Sequence, residues 1–252
     1  FDTTQIANNV VKTANVNYER YKMSNYDAMS FDGPRAGEDA LWDFELTDLD
    51  GNKVKLSDYK GKWVVIETGS LTCGMYVKNI EKKKGVAYLV EKFPDVEFLT
   101  VYVREAHPGS RQGPSFTLDE KIRLAKRTKD EYNDPRTFLV DTVDGDMHRA
   151  YGCWPNMAYV INPEGKVTYR CDWAFPHLME KALTERDQVN TKEHESIITA
   201  PLQIMVPVVL RGGWDALWDI VIALPMLAFK HFQADLAAMK KRFFGKDKGS
   251  DS

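Results

Sequence analysis

Cysteine is scarce in this chain: Cys73, Cys153 and Cys171 are the three among 252 residues. Three thiols cannot build the dense disulfide framework of a small secreted domain. No C-x-x-C pair is present and no Cys/His spacing matches a zinc site, so no metal is expected. An excess of one charge is also missing. The formal net charge is −3, which gives no electrostatic reason to expect nucleic acid as a partner. Long apolar runs are absent as well. The run 216–229 is interrupted by Asp219, and at about 14 residues it is shorter than the ~20 that cross a bilayer as a helix. Pro225 is expected to kink it. The first residues hold no secretory h-region, and the compartment stays open.

What is present suffices for a core: 43% hydrophobic and 12% aromatic residues. Residues 1–36 read as a helical leader. Ile6, Val10, Val11 and Ala14 recur at helical spacing, Tyr18 and Tyr21 continue that face, and Asp32-Gly33-Pro34 ends it. Residues 37–188 read as the core domain. Strands at 44–46 and 54–56 flank the hairpin signal Asp48-Leu49-Asp50-Gly51-Asn52. A strand at 62–68, a helix at 75–93, a strand at 96–103, a helix at 118–132 and a strand at 137–141 follow. A hairpin of 157–161 and 166–171 and a helix at 178–186 close the domain. Strands that alternate with helices before a late hairpin imply an α/β fold, a mixed sheet flanked by helices. Residues 189–252 are a helical extension whose end turns basic at Lys230, Lys240, Lys241, Arg242, Lys246 and Lys248.

The apolar strand Trp63-Val64-Val65-Ile66 runs into the small, polar turn Gly69-Ser70-Leu71-Thr72-Cys73-Gly74, and a helix follows. Unpaired N–H groups and the helix dipole favour an anion at such a point. A thiol there is expected to ionise readily, and the thiolate is the nucleophile. Cys73 is therefore the expected nucleophile, with a depressed pKa and some solvent access. The Ser70 and Thr72 hydroxyls are placed to hydrogen-bond the thiolate or a substrate. The segment Tyr102-Val103-Arg104-Glu105-Ala106-His107 ends the next core strand, where ligand sites of open α/β sheets gather. Glu105 and His107 are expected on the Cys73 edge, with His107 as an acid or base. Pro155, just before the late hairpin, is a candidate for a substrate-facing loop. The layout is that of a thioredoxin-like redox site.

Four segments, in order over about residues 60–185, resemble the iodothyronine deiodinase family. They are Gly69-Ser70-Leu71-Thr72-Cys73, Val101-Tyr102-Val103-Arg104-Glu105-Ala106-His107-Pro108, Val140-Asp141 with Ala150-Tyr151-Gly152, and Pro155-Asn156-Met157-Ala158-Tyr159-Val160-Ile161. Cys73 stands at the family's selenocysteine, and Gly74-Met75 at its paired prolines. The resemblance implies a thioredoxin-like fold and thiol-dependent reductive removal of halogen from an aromatic ring. Residue 73 would attack the halogen, Tyr102, Glu105 and His107 would supply protons, and an external thiol, with no bound cofactor, would reset the enzyme. Leu71 takes the position of a second cysteine found in some members, so no internal disulfide is expected.

Two other readings stand beside this one. The Cys73-Gly74 pair is similar to a glutathione peroxidase site, which implies a thiol peroxidase or general thiol reductase acting on peroxide. The long extension fits a redox-inactive, deiodinase-like subunit of a larger complex. Residues 196–244 are expected to form helices that dock on a membrane surface or a protein partner, giving a peripheral membrane association.

Overall fold

The computed structural model describes residues 17–80, 85–186, 188–191 and 200–244. The periodic positions 6–14 of the leader lie outside them. Within these residues a short helix α1 (Met23–Asp27) precedes a β-hairpin of β1 (Glu45–Thr47) and β2 (Lys53–Lys55). The hairpin turn forms because the Asp48 carboxylate accepts from the N–H groups of Asp50 and Asn52 (2.9 and 2.8 Å) while Gly51 takes φ +88°.

The central unit is β3 (Trp63–Gly69), α2 (Gly74–Ile80), α3 (Val86–Lys92), β4 (Val96–Tyr102), α4 (Leu118–Tyr132) and β5 (Thr137–Val140). The helix expected over 75–93 is two helices. Gly85 caps the start of α3 in extended conformation, following the run Lys82-Lys83-Lys84, and a glycine inside a helix costs about 1 kcal/mol relative to alanine. A further helix, α5 (Asp146–Tyr151), was not expected. It starts after Gly145, whose φ of 74° breaks the preceding turn. The chain continues through β6 (Ala158–Ile161), β7 (Val167–Cys171) and α6 (Pro176–Thr184) to α7 (Leu202–Val209) and the 31-residue α8 (Trp214–Phe244).

The seven strands lie in the order β2-β1-β5-β4-β3-β6-β7. β3, β4 and β5 are parallel, and the flanking hairpins are antiparallel. Alternation along the strands fills two cores. Val65, Phe98, Tyr102, Val140 and Val160 face one side, and Val64, Ile66, Leu99, Leu139 and Tyr159 the other. Parallel β3 and β4 are buried on both faces, which is why they read as continuous apolar runs. This is a thioredoxin-like fold.

Glu67, in the middle of β3, is fully buried. It is paired with Arg136 and accepts from Asn79 (2.9 Å) and Asn156 (2.8 Å). Arg136 also pairs with Asp134 at 2.6 Å, and Asp134 accepts from the Tyr76 hydroxyl at 2.7 Å. Burial alone would raise the Asp134 pKa, but Arg136 holds it down at about 2. The network joins α2, β3, the turn between α4 and β5, and the loop before β6. Arg136→Ala leaves two carboxylates buried without their cation and should cost about 3–5 kcal/mol in urea unfolding. A loss below about 1 kcal/mol would show that the network does not hold these elements together.

Candidate active site

Gly69 lies opposite Tyr102 in the parallel β3–β4 register. The 70–73 turn and the 103–107 loop therefore leave the sheet at one edge. In the turn, the Cys73 N–H donates to Ser70 O (3.2 Å) and Cys73 O accepts from Val77 N–H (3.1 Å). The N–H groups of Tyr76 and Met75 point at the Cys73 sulfur.

Hydrogen bonds lace the two loops together. Glu105 accepts from the Thr72 N–H (3.0 Å), the Thr72 hydroxyl (2.6 Å) and the Tyr102 hydroxyl. Tyr102 in turn accepts from Leu71 N–H at 3.1 Å. Thr72 Oγ1 accepts from His107 N–H (3.1 Å), and Ser70 Oγ from Ala106 N–H (3.3 Å). This revises the expected roles. The Thr72 hydroxyl donates its hydrogen bond to Glu105 rather than to a thiolate, and Ser70 anchors the neighbouring loop. Glu105 and Tyr102 lie buried under the turn instead of facing a substrate. Burial raises the Glu105 pKa, against the opposing pull of Thr72 and Tyr102.

Cys73, His107 and Pro155 do meet, on the wall of a cavity of about 340 Å³. The rest of the wall is almost entirely apolar. Tyr18, Tyr21 and Tyr26 come from the N-terminal segment, Trp173 from the end of β7, and Met205, Val209, Leu217 and Ile220 from α7 and α8. The extension thus forms a lid. Its Met205 sulfur sits where a Cβ on Gly74 would be, 2.1 Å away. The α7–α8 turn packs on the His107 loop: a Cβ on Gly212 would lie 2.3 Å from the His107 carbonyl oxygen. Arg111 N–H donates to Gly212 O at 2.8 Å, and Ser110 N–H to Asp215 at 2.9 Å. Arg20 closes the other side on Asp219 at 2.6 Å.

The lid overturns the expected state of the thiol. Cys73 is only 2% exposed. Burial pushes its pKa up to about 12, and the two backbone donors and Arg104 do not offset the lost water. The His107 ring stacks edge-on against Tyr21 with centroids 5.4 Å apart. Its Nδ1 is buried with no partner among the described residues, and burial, reinforced by Arg104, lowers its pKa to about 4. The resting pair is a neutral thiol and a neutral imidazole.

Arg104 was read only as part of the Tyr102–His107 segment. Its guanidinium is buried, lies 4.6 Å over the Tyr18 ring and donates to the Tyr18 hydroxyl at 2.6 Å. It forms no ion pair among the described residues. A buried cation beside Cys73 favours the thiolate once water or a polar ligand enters. The lid and the tyrosines also went unassigned to the site, because they lie far from Cys73 in the chain. Cys153 and Cys171 are buried and free, so no disulfide links the described cysteines. Among the described residues no cluster of three metal-ligating side chains occurs.

The model of the AhpC/TSA family matches residues 37–170, the stretch that carries the sheet and both loops of the site. The chain belongs to the AhpC/TSA family. This is a thioredoxin-fold family of thiol-dependent oxidoreductases and peroxidases. Two curated relatives are each 30% identical. Glutathione peroxidase 1 of Caenorhabditis elegans aligns over 107 residues, 42% of this chain and 61% of that protein. Thyroxine 5-deiodinase of Gallus gallus aligns over 139 residues, 50% of this chain and 52% of that protein. The chain therefore spans about half to three-fifths of these relatives' lengths. Among solved structures, a thiol peroxidase from Chromobacterium violaceum is similar at 17% identity and a TM-score of 0.42, over 64% of this chain and 92% of that one.

The His107 site gives this AhpC/TSA member a pH signature. Its imidazole takes up a proton near 6.5 in the unfolded chain and near 4 in the folded one. The folded form is therefore fully favoured above 6.5, and that contribution is lost as pH falls toward 4. Between pH 7 and pH 4.5, wild type should lose on the order of 2 kcal/mol more unfolding free energy than His107→Gln. Glu105, Asp141 and His148 are common to both proteins and cancel in the difference. Equal losses would contradict a neutral, buried His107.

Proposed function

We propose that this chain is a thiol-dependent reductase of a bulky, apolar, aromatic-sized substrate, with the Cys73 sulfur as the attacking atom. The observation that carries the reading is the cavity. Its volume lies in the range of small-molecule sites, its wall is apolar and aromatic, and Cys73 and His107 supply its chemistry. A molecule as small and polar as hydrogen peroxide needs no such space.

The first reading is reductive dehalogenation of an aromatic ring, supported by the likeness to thyroxine 5-deiodinase and by the Glu-Ala-His segment. His107 takes the Cys73 proton as a polar substrate group enters beside its unpaired Nδ1. The thiolate attacks iodine, the carbon–iodine bond breaks, and the electron pair left on carbon takes a proton relayed through His107. The enzyme is left as a sulfenyl iodide. One external thiol displaces iodide to give a mixed disulfide, and a second releases Cys73. Overall an aryl iodide and two thiols give an arene, a disulfide and hydrogen iodide. Tyr102, Glu105, Thr72 and Ser70 hold the two loops in register and act through Cys73 and His107. Pro155 forms wall.

The second reading is reduction of an organic hydroperoxide. Membership of the AhpC/TSA family and the likeness to glutathione peroxidase 1 favour it. There Cys73 takes the outer oxygen, the alcohol leaves, and two external thiols return the sulfenic acid to thiol with loss of water.

Intact mass and turnover with dithiothreitol, using an iodophenol against cumene hydroperoxide, separate the two. Cys73→Ser should abolish whichever turnover is found while leaving the fold unchanged. His107→Ala should lower it by about 10²-fold, the lower range for a general acid–base group. Iodide release supports the first reading, and loss of hydroperoxide without it the second. Modification of Cys153 or Cys171 with Cys73 untouched by either compound would overturn both and leave a redox-inactive subunit.

A further inference from the structure

Helix α8 is built inside out. Three ionic side chains between Trp214 and Phe232 face the protein: Asp219 pairs with Arg20, Asp215 receives Ser110, and Lys230 pairs with Asp27. Over Trp214–Phe232 its solvent side is apolar. Trp214 (73% exposed), Trp218 (62%), Ile222, Phe229 and Phe232 stand free. These positions recur at four-, seven- and three-residue spacings, so they form one stripe along the helix, about 27 Å long at 1.5 Å per residue. Burying Ala216 and Ala223 against the domain while exposing two tryptophans is the reverse of the usual surface helix. An apolar stripe of this extent marks an interaction surface.

The mouth of the Cys73 cavity opens on the same side. Leu202 and Val206 of α7 and Val221 and Leu224 of α8 line the cavity and are also exposed to solvent. The lips of the opening are therefore apolar and continuous with the stripe.

Charge decides what covers it. Beyond Asp235 the helix carries no acidic residue, while Lys240, Lys241 and Arg242 fall in its last turns. No helix among the described residues is long and apolar enough to cross a membrane. A helix with an apolar face rich in Trp and Phe and a basic end lies in the plane of an anionic bilayer surface. A soluble protein partner accounts for the stripe but gives no reason for the basic end.

We propose that α8 docks by its outer face on an anionic lipid surface, with the cavity mouth between α7 and α8 turned toward the acyl chains. Docking stands independently of the chemistry at Cys73. The corollary that apolar substrates enter from the lipid phase rests on the reductase reading.

The test uses the full chain and two vesicle compositions, phosphatidylcholine alone and an equimolar mixture with phosphatidylglycerol. Wild type should sediment with the mixed vesicles and far less with the neutral ones. Lys240→Gln/Lys241→Gln/Arg242→Gln should weaken partition onto the mixed vesicles by about tenfold or more. Trp218→Glu/Ile222→Glu should weaken it at least as much, with the far-UV circular dichroism of both variants unchanged. Bromine-labelled lipid should quench tryptophan emission in wild type, and Trp214→Phe/Trp218→Phe should remove that quenching. Failure of wild type to sediment, wild-type binding by the basic-end and stripe variants, or equal binding to both compositions would overturn the proposal. A stable dimer whose Trp214 and Trp218 are shielded from lipid would overturn it in favour of a second copy. Loss of catalysis with sedimentation intact would count against the reductase reading and leave docking standing.

Discussion

The Cys73 sulfur lies between two opposed environments. Behind it are the N–H groups of Met75 and Tyr76 and the buried guanidinium of Arg104, all of which favour a thiolate. In front of it are Met205 and the apolar side chains of α7 and α8, which exclude the water an anion needs. Desolvation prevails in the closed molecule and holds the thiol protonated. Burial under the same lid keeps His107 neutral and leaves its Nδ1 without a partner among the described residues, and a thiolate at Cys73 requires a ligand or a lid movement that restores polar surroundings.

The lid is held by contacts that leave little room for substitution. Gly74 lets α7 descend onto the start of α2, and Gly212 lets the α7–α8 turn reach the His107 carbonyl. Asp215 and Asp219 fasten α8 to the 110 loop and to Arg20. These carboxylates face inward onto Ser110 and Arg20, while the outer face of the helix carries Trp214, Trp218 and Ile222. The feature that closes the cavity therefore also presents the stripe argued to meet lipid. Covering Cys73 and presenting the stripe are two sides of one helix.

The sheet was legible because its parallel strands are continuous apolar runs and its hairpin turns carry Asp-Gly and Asn-Pro-Glu-Gly signals. Helix α4 was also readable at its observed bounds, and the structure shows Thr117 and Glu120 closing a capping box at its start. The juxtaposition of the 73 turn and the 107 loop followed from the rule that strand ends share an edge. Two things were not legible. The state of the thiol was misjudged because helix position and local donors are written in sequence, whereas burial by residues 130 positions away is not. The role of Asp219 was hidden for the same reason. In sequence it interrupts an apolar run, and only the fold brings Arg20 to it. The 75–93 break was legible in principle, since Gly85 follows three lysines, but the apolar spacing on both sides masked it.

The most direct measurement is the rate at which iodoacetamide alkylates Cys73 as a function of pH, in wild type and in Gly212→Ala. The added methyl group collides with the His107 carbonyl and displaces the lid. In wild type the rate should be slow and still climbing about tenfold per pH unit through pH 10, because the thiol titrates near 12. In Gly212→Ala it should be faster, with its midpoint moved down toward the ~8.5 of a hydrated cysteine. A wild-type plateau below pH 8, or identical profiles in the two proteins, would contradict a thiol governed by desolvation under the lid.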